Sequence, residues 1–207
     1  MQQADGIVYL VRHGETALNA NGTSKPNDKI RGWMNVPLDA TGIKQANQIA
    51  KKFEGKKVDA IFSSDLSRAI DTARIIGMAV KKQVSPTPSL RPWNLGQFQG
   101  KESKKVAPEV ERYITKQPSV PVVGGESFNS FKHRLLAFMQ GVISSAMAKS
   151  LSIICVTHYR DVRLIRAWLH NKATDDVVSL DELLRRDNIE HTDIWEVKEK
   201  NGELSIT

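Results

Sequence analysis

The sequence predicts an α/β domain: a three-layer α/β/α sandwich around a mostly parallel central sheet. Three observations predict it. Short runs rich in apolar and β-branched residues occur at Ile7 to Val11, Val58 to Phe62 and Ser152 to Val156, as strands buried on both faces require. Amphipathic stretches of helical period lie between them. The chain has 207 residues, the size of one ordinary domain or of one with a small cap. Residues 1–207 are therefore expected to form a single domain, with a variable lid or insertion over about 91–126.

The first run is bounded by Gly6 and by Arg12-His13-Gly14. Residues 17–38, rich in Asn, Gly, Pro and Asp, read as a long irregular loop, and a loop of that length inside a compact domain is more often functional than idle. Ile43, Ala46, Ile49, Ala50 and Phe53 recur at helical spacing behind Asp39 or Thr41 as N-cap. The second run ends in Ser63-Ser64-Asp65, and Leu66, Ala69, Ile70, Ala73, Ile76 and Val80 mark a second helix. Val84 to Leu90 reads as extended, and Pro86 and Pro88 keep it from the middle of a sheet. Residues 91–126 contain a helical stretch near Val106 to Lys116. A long helix follows from Ser127 to about Ser150, with Phe128, Phe131, Leu135, Phe138 and Val142 on one stripe. After the third run, Val162, Ile165, Trp168 and Leu169 form one helix face. Asp193 to Val197, the Asn201-Gly202 turn and Leu204 to Ile206 read as a C-terminal hairpin.

Composition narrows the function. The chain is 40% hydrophobic and 26% charged, which is ordinary for a soluble protein and excludes a fibre or a disordered chain. No run approaches the roughly 18–20 apolar residues of a membrane span, and the first residues lack the pattern of a secretory signal. The one cysteine, Cys155, sits in an apolar run and reads as buried filler. With no partner for a disulfide, a cytoplasmic location is expected. The formal net charge of +7 favours anionic partners. The basic residues are dispersed, so a small phosphorylated substrate is expected rather than nucleic acid or a membrane. A homodimer is left open.

Each buried run leads straight into cationic or imidazole side chains. The first ends in Arg12-His13, the second is followed by Arg68 in the first turn of a helix, and the third ends in Thr157-His158-Tyr159-Arg160. In parallel α/β sheets ligands bind beyond the C-terminal strand ends, so Arg12, His13, Arg68 and His158 are expected to converge there. Two guanidinium groups and two imidazoles together call for a polyanion, and phosphate matches the planar fork of arginine. A histidine in such a place points to nucleophilic attack on phosphorus or to proton transfer.

The blocks around these residues resemble the histidine phosphatase superfamily, with its phosphoglycerate-mutase-like fold. Val11-Arg12-His13-Gly14-Glu15-Thr16 looks like its signature. Asn19, the block Arg31-Gly32-Trp33 with Pro37-Leu38 and Thr41-Gly42, Ser63-Ser64-Asp65-Leu66-Ser67-Arg68-Ala69, Gly124-Gly125-Glu126-Ser127 and Val156-Thr157-His158 are similar to later blocks, in family order. The resemblance implies a phosphatase in which His13 is transiently phosphorylated. Arg12, Asn19, Arg68, His158 and the backbone of Tyr159 would hold the phosphate, with no metal and no other cofactor. The remaining histidines, His133, His170 and His191, read as structural.

One departure bears on mechanism. Many members carry a proton-donating glutamate after Leu-Arg, where this chain has Leu90-Arg91-Pro92. Asp161, one helical turn past His158, and Glu126 are the alternative donors. Otherwise the enzyme acts on good leaving groups without an acid, or the fold binds a phosphorylated ligand in a regulatory role with weak or no turnover. Mutase activity, which needs a well-placed acid, is not expected. Arg31 would suit a second anionic group on the substrate, and Trp33 and Trp93 could wall a leaving-group pocket.

Overall fold

A computed structural model describes residues 6–18, 28–171, 173, 178–184, 189–191 and 193–207. Six strands form one sheet: β1 (Ile7–Arg12), β2 (Ala60–Ser64), β3 (Val84–Thr87), β4 (Ser152–Thr157), β5 (Ile194–Lys200) and β6 (Glu203–Ile206). Their order across the sheet is β3-β2-β4-β1-β5-β6. The first four run parallel, and β5 and β6 close the far side as an antiparallel hairpin. The helices are α1 (Ala40–Phe53), α2 (Ser67–Val80), α3 (Ser103–Thr115), α4 (Phe128–Lys149), α5 (Tyr159–His170) and the short α6 (Leu180–Leu184).

The two central strands explain the three layers. Side chains alternate across a strand, and both faces here are apolar. Val8 and Leu10 of β1 and Ile153 and Cys155 of β4 face α4 and α5, meeting Leu135, Met139, Ile165 and Trp168. Tyr9, Val11, Ile154 and Val156 face α1 and α2, meeting Ile49, Phe53, Ala69 and Ile76. Burial pushes the Cys155 thiol up to about 12, so it behaves as a small apolar side chain.

Local signals set the helix ends. The Asp39 side chain accepts the Gly42 N–H at the start of α1, and Ser127 does the same for Ser130 at α4. Both helices α2 and α4 stop at a residue in the left-handed region, Lys81 and Ser150. Strand β3 pairs with β2 alone and so sits at an edge, where the missing N–H of Pro86 interrupts no second ladder. The insertion is joined to the loop before α1: the Ile30 N–H reaches the Lys101 carbonyl at 2.9 Å, and the Ser103 N–H reaches that of Asp28 at 2.8 Å. Helix α3 starts three residues earlier than its apolar spacing suggested, at Ser103.

Register positions the site. Arg12 of β1 pairs with Thr157 of β4, so the next residues, His13 and His158, leave the sheet side by side. Two glycines then let the chain turn close to α1. A Cβ on Gly14 would lie 2.4 Å from the Gly42 carbonyl oxygen, and a Cβ on Gly42 would lie 2.1 Å from that of Glu15.

Candidate active site

Three of the four strand-end residues, His13, Arg68 and His158, line one cavity, and Arg12 is buried without lining it. The His13 and His158 rings lie 5.0 Å apart. Both line a cavity of about 820 Å³ together with Arg68, Tyr159, Arg31 and Trp93. Arg12, His13, Arg68 and His158 are all buried.

His13 has a defined tautomer. Its Nδ1 lies 2.6 Å from the Gly14 carbonyl oxygen. A carbonyl only accepts, so Nδ1 carries the proton and Nε2 keeps its lone pair. Burial, then Arg68, His158 and Arg12, hold the His13 pKa well below that of free imidazole. The ring is therefore neutral at pH 7. His158 is depressed by burial and by Arg68 in the same way, and neither of its nitrogens has a hydrogen-bond partner among the described residues.

The two arginines are held by carbonyls. Arg12 donates through Nη1 to the Ile189 carbonyl at 2.5 Å, and its guanidinium lies 5.2 Å from the Tyr159 ring centroid. Arg68 donates to the carbonyls of Met34 and Gly32 at 2.8 and 2.9 Å. Burial, then Arg31, lowers both to about 9. Nε and Nη2 of Arg12 and Nε of Arg68 are buried without a hydrogen-bond partner among the described residues. Dipoles thus fix the guanidinium planes while the charge stays uncompensated, an arrangement that favours an incoming anion. Thr72 braces the signature loop, accepting the Gly14 N–H at 3.1 Å and donating to the Arg68 carbonyl.

Asp161 is fully buried in the first turn of α5 and does not line the cavity. The Thr157 hydroxyl reaches both the Leu90 carbonyl, at 3.2 Å, and Asp161 Oδ2. It has one proton. Given to the carbonyl, which cannot donate, it leaves the carboxyl as the donor to Thr157. Burial raises Asp161 to about 7 against the opposing Thr157 hydrogen bond, in keeping with a carboxylic acid rather than a carboxylate.

Other expected residues are occupied elsewhere. The Glu126 carboxylate accepts from Arg134 at 2.8 Å and from the Asn94 N–H at 2.9 Å, outside the cavity lining. Trp33 does not line it either. Its indole N–H donates to the Pro92 carbonyl at 2.8 Å and its ring lies under the Arg91 guanidinium. Trp93 does line the cavity, backed by the rings of Phe128 and Phe131. Arg31 also lines it, paired with Asp28 at 3.2 Å. Asn19 lies outside the described residues.

Sequence reasoning missed His191. Its ring is 6.1 Å from that of His13, and burial, then Arg12, lowers it to about 3. Because β5 runs antiparallel to β1, with Ile194 opposite Val11, the residues just before β5 lie at the end of β1. Among the described residues, no three His, Cys, Asp or Glu side chains are grouped so as to hold a metal ion, and no helix is long and apolar enough to cross a membrane.

Fold and site together define an α/β domain with a cationic cavity around two imidazoles at the strand ends. The family profile described as histidine phosphatase superfamily (branch 1) matches residues 8–188, and the chain belongs to that family. It is 33% identical over 145 residues to the Proteus mirabilis protein named "Probable phosphoglycerate mutase GpmB", covering 68% of this chain and 63% of that protein. It thus spans less than two thirds of that relative's length. Among solved structures it is similar to Bacillus stearothermophilus YhfR, with a TM-score of 0.77 and 24% identity over 97% of this chain and 94% of that one. It is also similar to a mycobacterial glucosyl-3-phosphoglycerate phosphatase in complex with VO3, with a TM-score of 0.75 and 19% identity over 98% and 97% of the two chains. These structures share the fold.

Proposed function

We propose that the protein is a metal-independent phosphomonoesterase that works through a phosphohistidine on His13. The observation that carries this reading is the His13 tautomer: a neutral ring, its Nδ1 proton committed to Gly14, beside cations with uncommitted N–H groups. The Nε2 lone pair attacks phosphorus, the bond from phosphorus to the ester oxygen breaks, and that oxygen leaves with the electron pair. Water then attacks the phosphoryl group, the P–N bond breaks with its pair returning to Nε2, and inorganic phosphate departs. Arg12, Arg68 and His158 stabilise the charge on the equatorial oxygens throughout, in an already oriented frame.

The reading extends to the leaving group. Asp28 is the sole carboxyl among the described lining residues, and it is taken up by Arg31 and by the Ser103 hydroxyl at 2.7 Å. Pro92 carries no proton. Asp161, whose burial raises it to about 7, does not line the cavity. The site therefore suits leaving groups that depart with little protonation, such as aryl phosphates and anhydrides. General-acid catalysis contributes typically about 10²–10⁴-fold, and it matters least for such groups.

Rapid quench with a ³²P-labelled aryl phosphate is the test. Acid-labile label on His13 is expected, with rates falling steeply as the leaving phenol becomes less acidic. Tight phosphate binding without label would instead support a ligand-binding protein of this fold. Interconversion of 2- and 3-phosphoglycerate faster than phosphate release would make it a mutase.

A further inference from the structure

The cavity carries more positive charge than one phosphoryl group uses. Besides Arg68 it is lined by Arg31, Lys104, Arg160 and Arg163, against the single carboxylate of Asp28. Arg31 is neutralised by Asp28 at 3.2 Å. A phosphate monoester brings about two negative charges, which Arg12 and Arg68 match. Lys104, Arg160 and Arg163 remain.

Arg160 stands out among these three. It is the second residue of α5, and Arg163 follows one turn later. Both cations thus sit at the helix end where the dipole is itself positive, an arrangement that opposes stability. Arg163 is engaged, donating to the Leu183 carbonyl and stacking 5.5 Å from the Tyr159 ring centroid. Arg160 has no hydrogen bond or ion pair among the described residues. Burial, then the proximity of Arg163, lowers it to about 10. A guanidinium kept partly out of water, beside a second one and facing a cavity, gains most from an anion.

A second space adjoins this one. A niche of about 140 Å³ is walled mainly by Val110, Ile114, Phe128, Phe131 and Leu183, with Glu111 contributing the one carboxyl among its described lining residues. Trp93, Ala107, Arg160 and Arg163 line both spaces, so Arg160 stands where the cationic cavity meets the apolar niche.

We infer that Arg160, in a cavity that Lys104 also lines, forms a second anion subsite, and that the substrate is a phosphate monoester whose leaving group joins a carboxylate or second phosphate to a compact apolar group. The inference rests on reading the His13 cavity as the phosphate-ester site, and names the substrate class of that site. An aryl leaving group also fits a site in which the one carboxyl among the described lining residues, Asp28, is taken up by Arg31 and Ser103.

The test compares para-carboxyphenyl phosphate with its neutral isostere, para-carbamoylphenyl phosphate. Charge-assisted hydrogen bonds contribute about 1.5–3 kcal/mol, so the wild-type protein should prefer the carboxylate by roughly 10–100-fold in kcat/KM, mainly through KM. Arg160→Gln should collapse that preference toward unity, lowering the rate on the carboxylate ester far more than on its isostere. Ile114→Trp, which fills the niche, should raise KM for both aryl esters and spare the small ester phosphoglycolate. Equal kcat/KM for the two aryl esters in the wild-type protein, or equal losses in Arg160→Gln, would overturn the subsite. Titration calorimetry of the two esters on His13→Ala separates the two readings. If neither ester is hydrolysed by the wild-type protein, the phosphatase reading fails, and the subsite stands or falls on whether the carboxylate still binds more tightly.

Discussion

Two groups of arginines in this molecule are treated in opposite ways. Arg91 meets Asp65 through two hydrogen bonds of 2.7 and 2.6 Å. Arg134 meets Glu126 at 2.8 Å and gathers the carbonyls of Pro88, Ser89 and Arg91, each at 3.0 Å. These guanidinium groups are answered by carboxylates, and their work is to fix the 88–94 segment against α4. Arg12 and Arg68 are more deeply buried, yet among the described residues they are oriented by carbonyl dipoles and, for Arg12, the Tyr159 ring, with no carboxylate bonded to either. A cation oriented but not neutralised is the physical mark of a binding site. A cation oriented and neutralised is a strut.

That contrast can be broken or sharpened by mutation. The largest effect is expected from His13→Ala, which should lower kcat by at least about 10³-fold in a quenched-flow assay while leaving the melting temperature near that of the wild type. Arg68→Gln and Arg91→Gln should then part company. The first should cost about 10²–10³-fold in kcat/KM with little change in thermal stability. The second should lower the melting temperature by roughly 2–4 °C per kcal/mol lost, with a far smaller effect on kcat/KM. Parallel behaviour of the two variants, in melts and in kinetics, would erase the distinction.

Asp161→Asn tests the buried acid. Its carboxyl is raised from 3.8 to about 7, so the folded state holds the proton more tightly than the unfolded chain. The stability this contributes is complete below about pH 4 and is lost as pH rises through about 7. The asparagine variant should therefore melt several degrees above the wild type at pH 8, with the difference closing toward pH 4. His191 is shifted by a similar amount and runs the other way. Its stability is present above the ordinary imidazole value of 6.5 and is lost as pH falls toward about 3. His191→Gln should lessen the acid-side loss of melting temperature by several degrees.

The strands and helices were legible because each carries its own local signal: unbroken apolar runs, helical spacing, Asp39 and Ser127 as caps. The convergence of Arg12, His13, Arg68 and His158 followed from one rule about parallel strands. Residues brought in by longer connections left no such trace. Nothing near His191 in the chain connects it with His13, since their proximity comes from the antiparallel pairing of β5 with β1. Trp33 reads as a pocket wall only until Pro92, Arg91 and Arg134 are known to be its neighbours. Arg160 was legible as a cation at the third strand end, but not its role, because its setting depends on how α3 and the start of α5 share one cavity.

The signature also contains a residue whose value is that it has nothing to add. Gly14 touches no substrate, yet its backbone and that of Gly42 meet at a distance no side chain would survive. Putting a single methyl group there would push the nucleophile's own loop away from the first helix and, with it, the carbonyl that fixes which nitrogen of His13 is free to react. The reactivity of the imidazole is thus secured from behind, by a space kept empty on the side facing away from the chemistry.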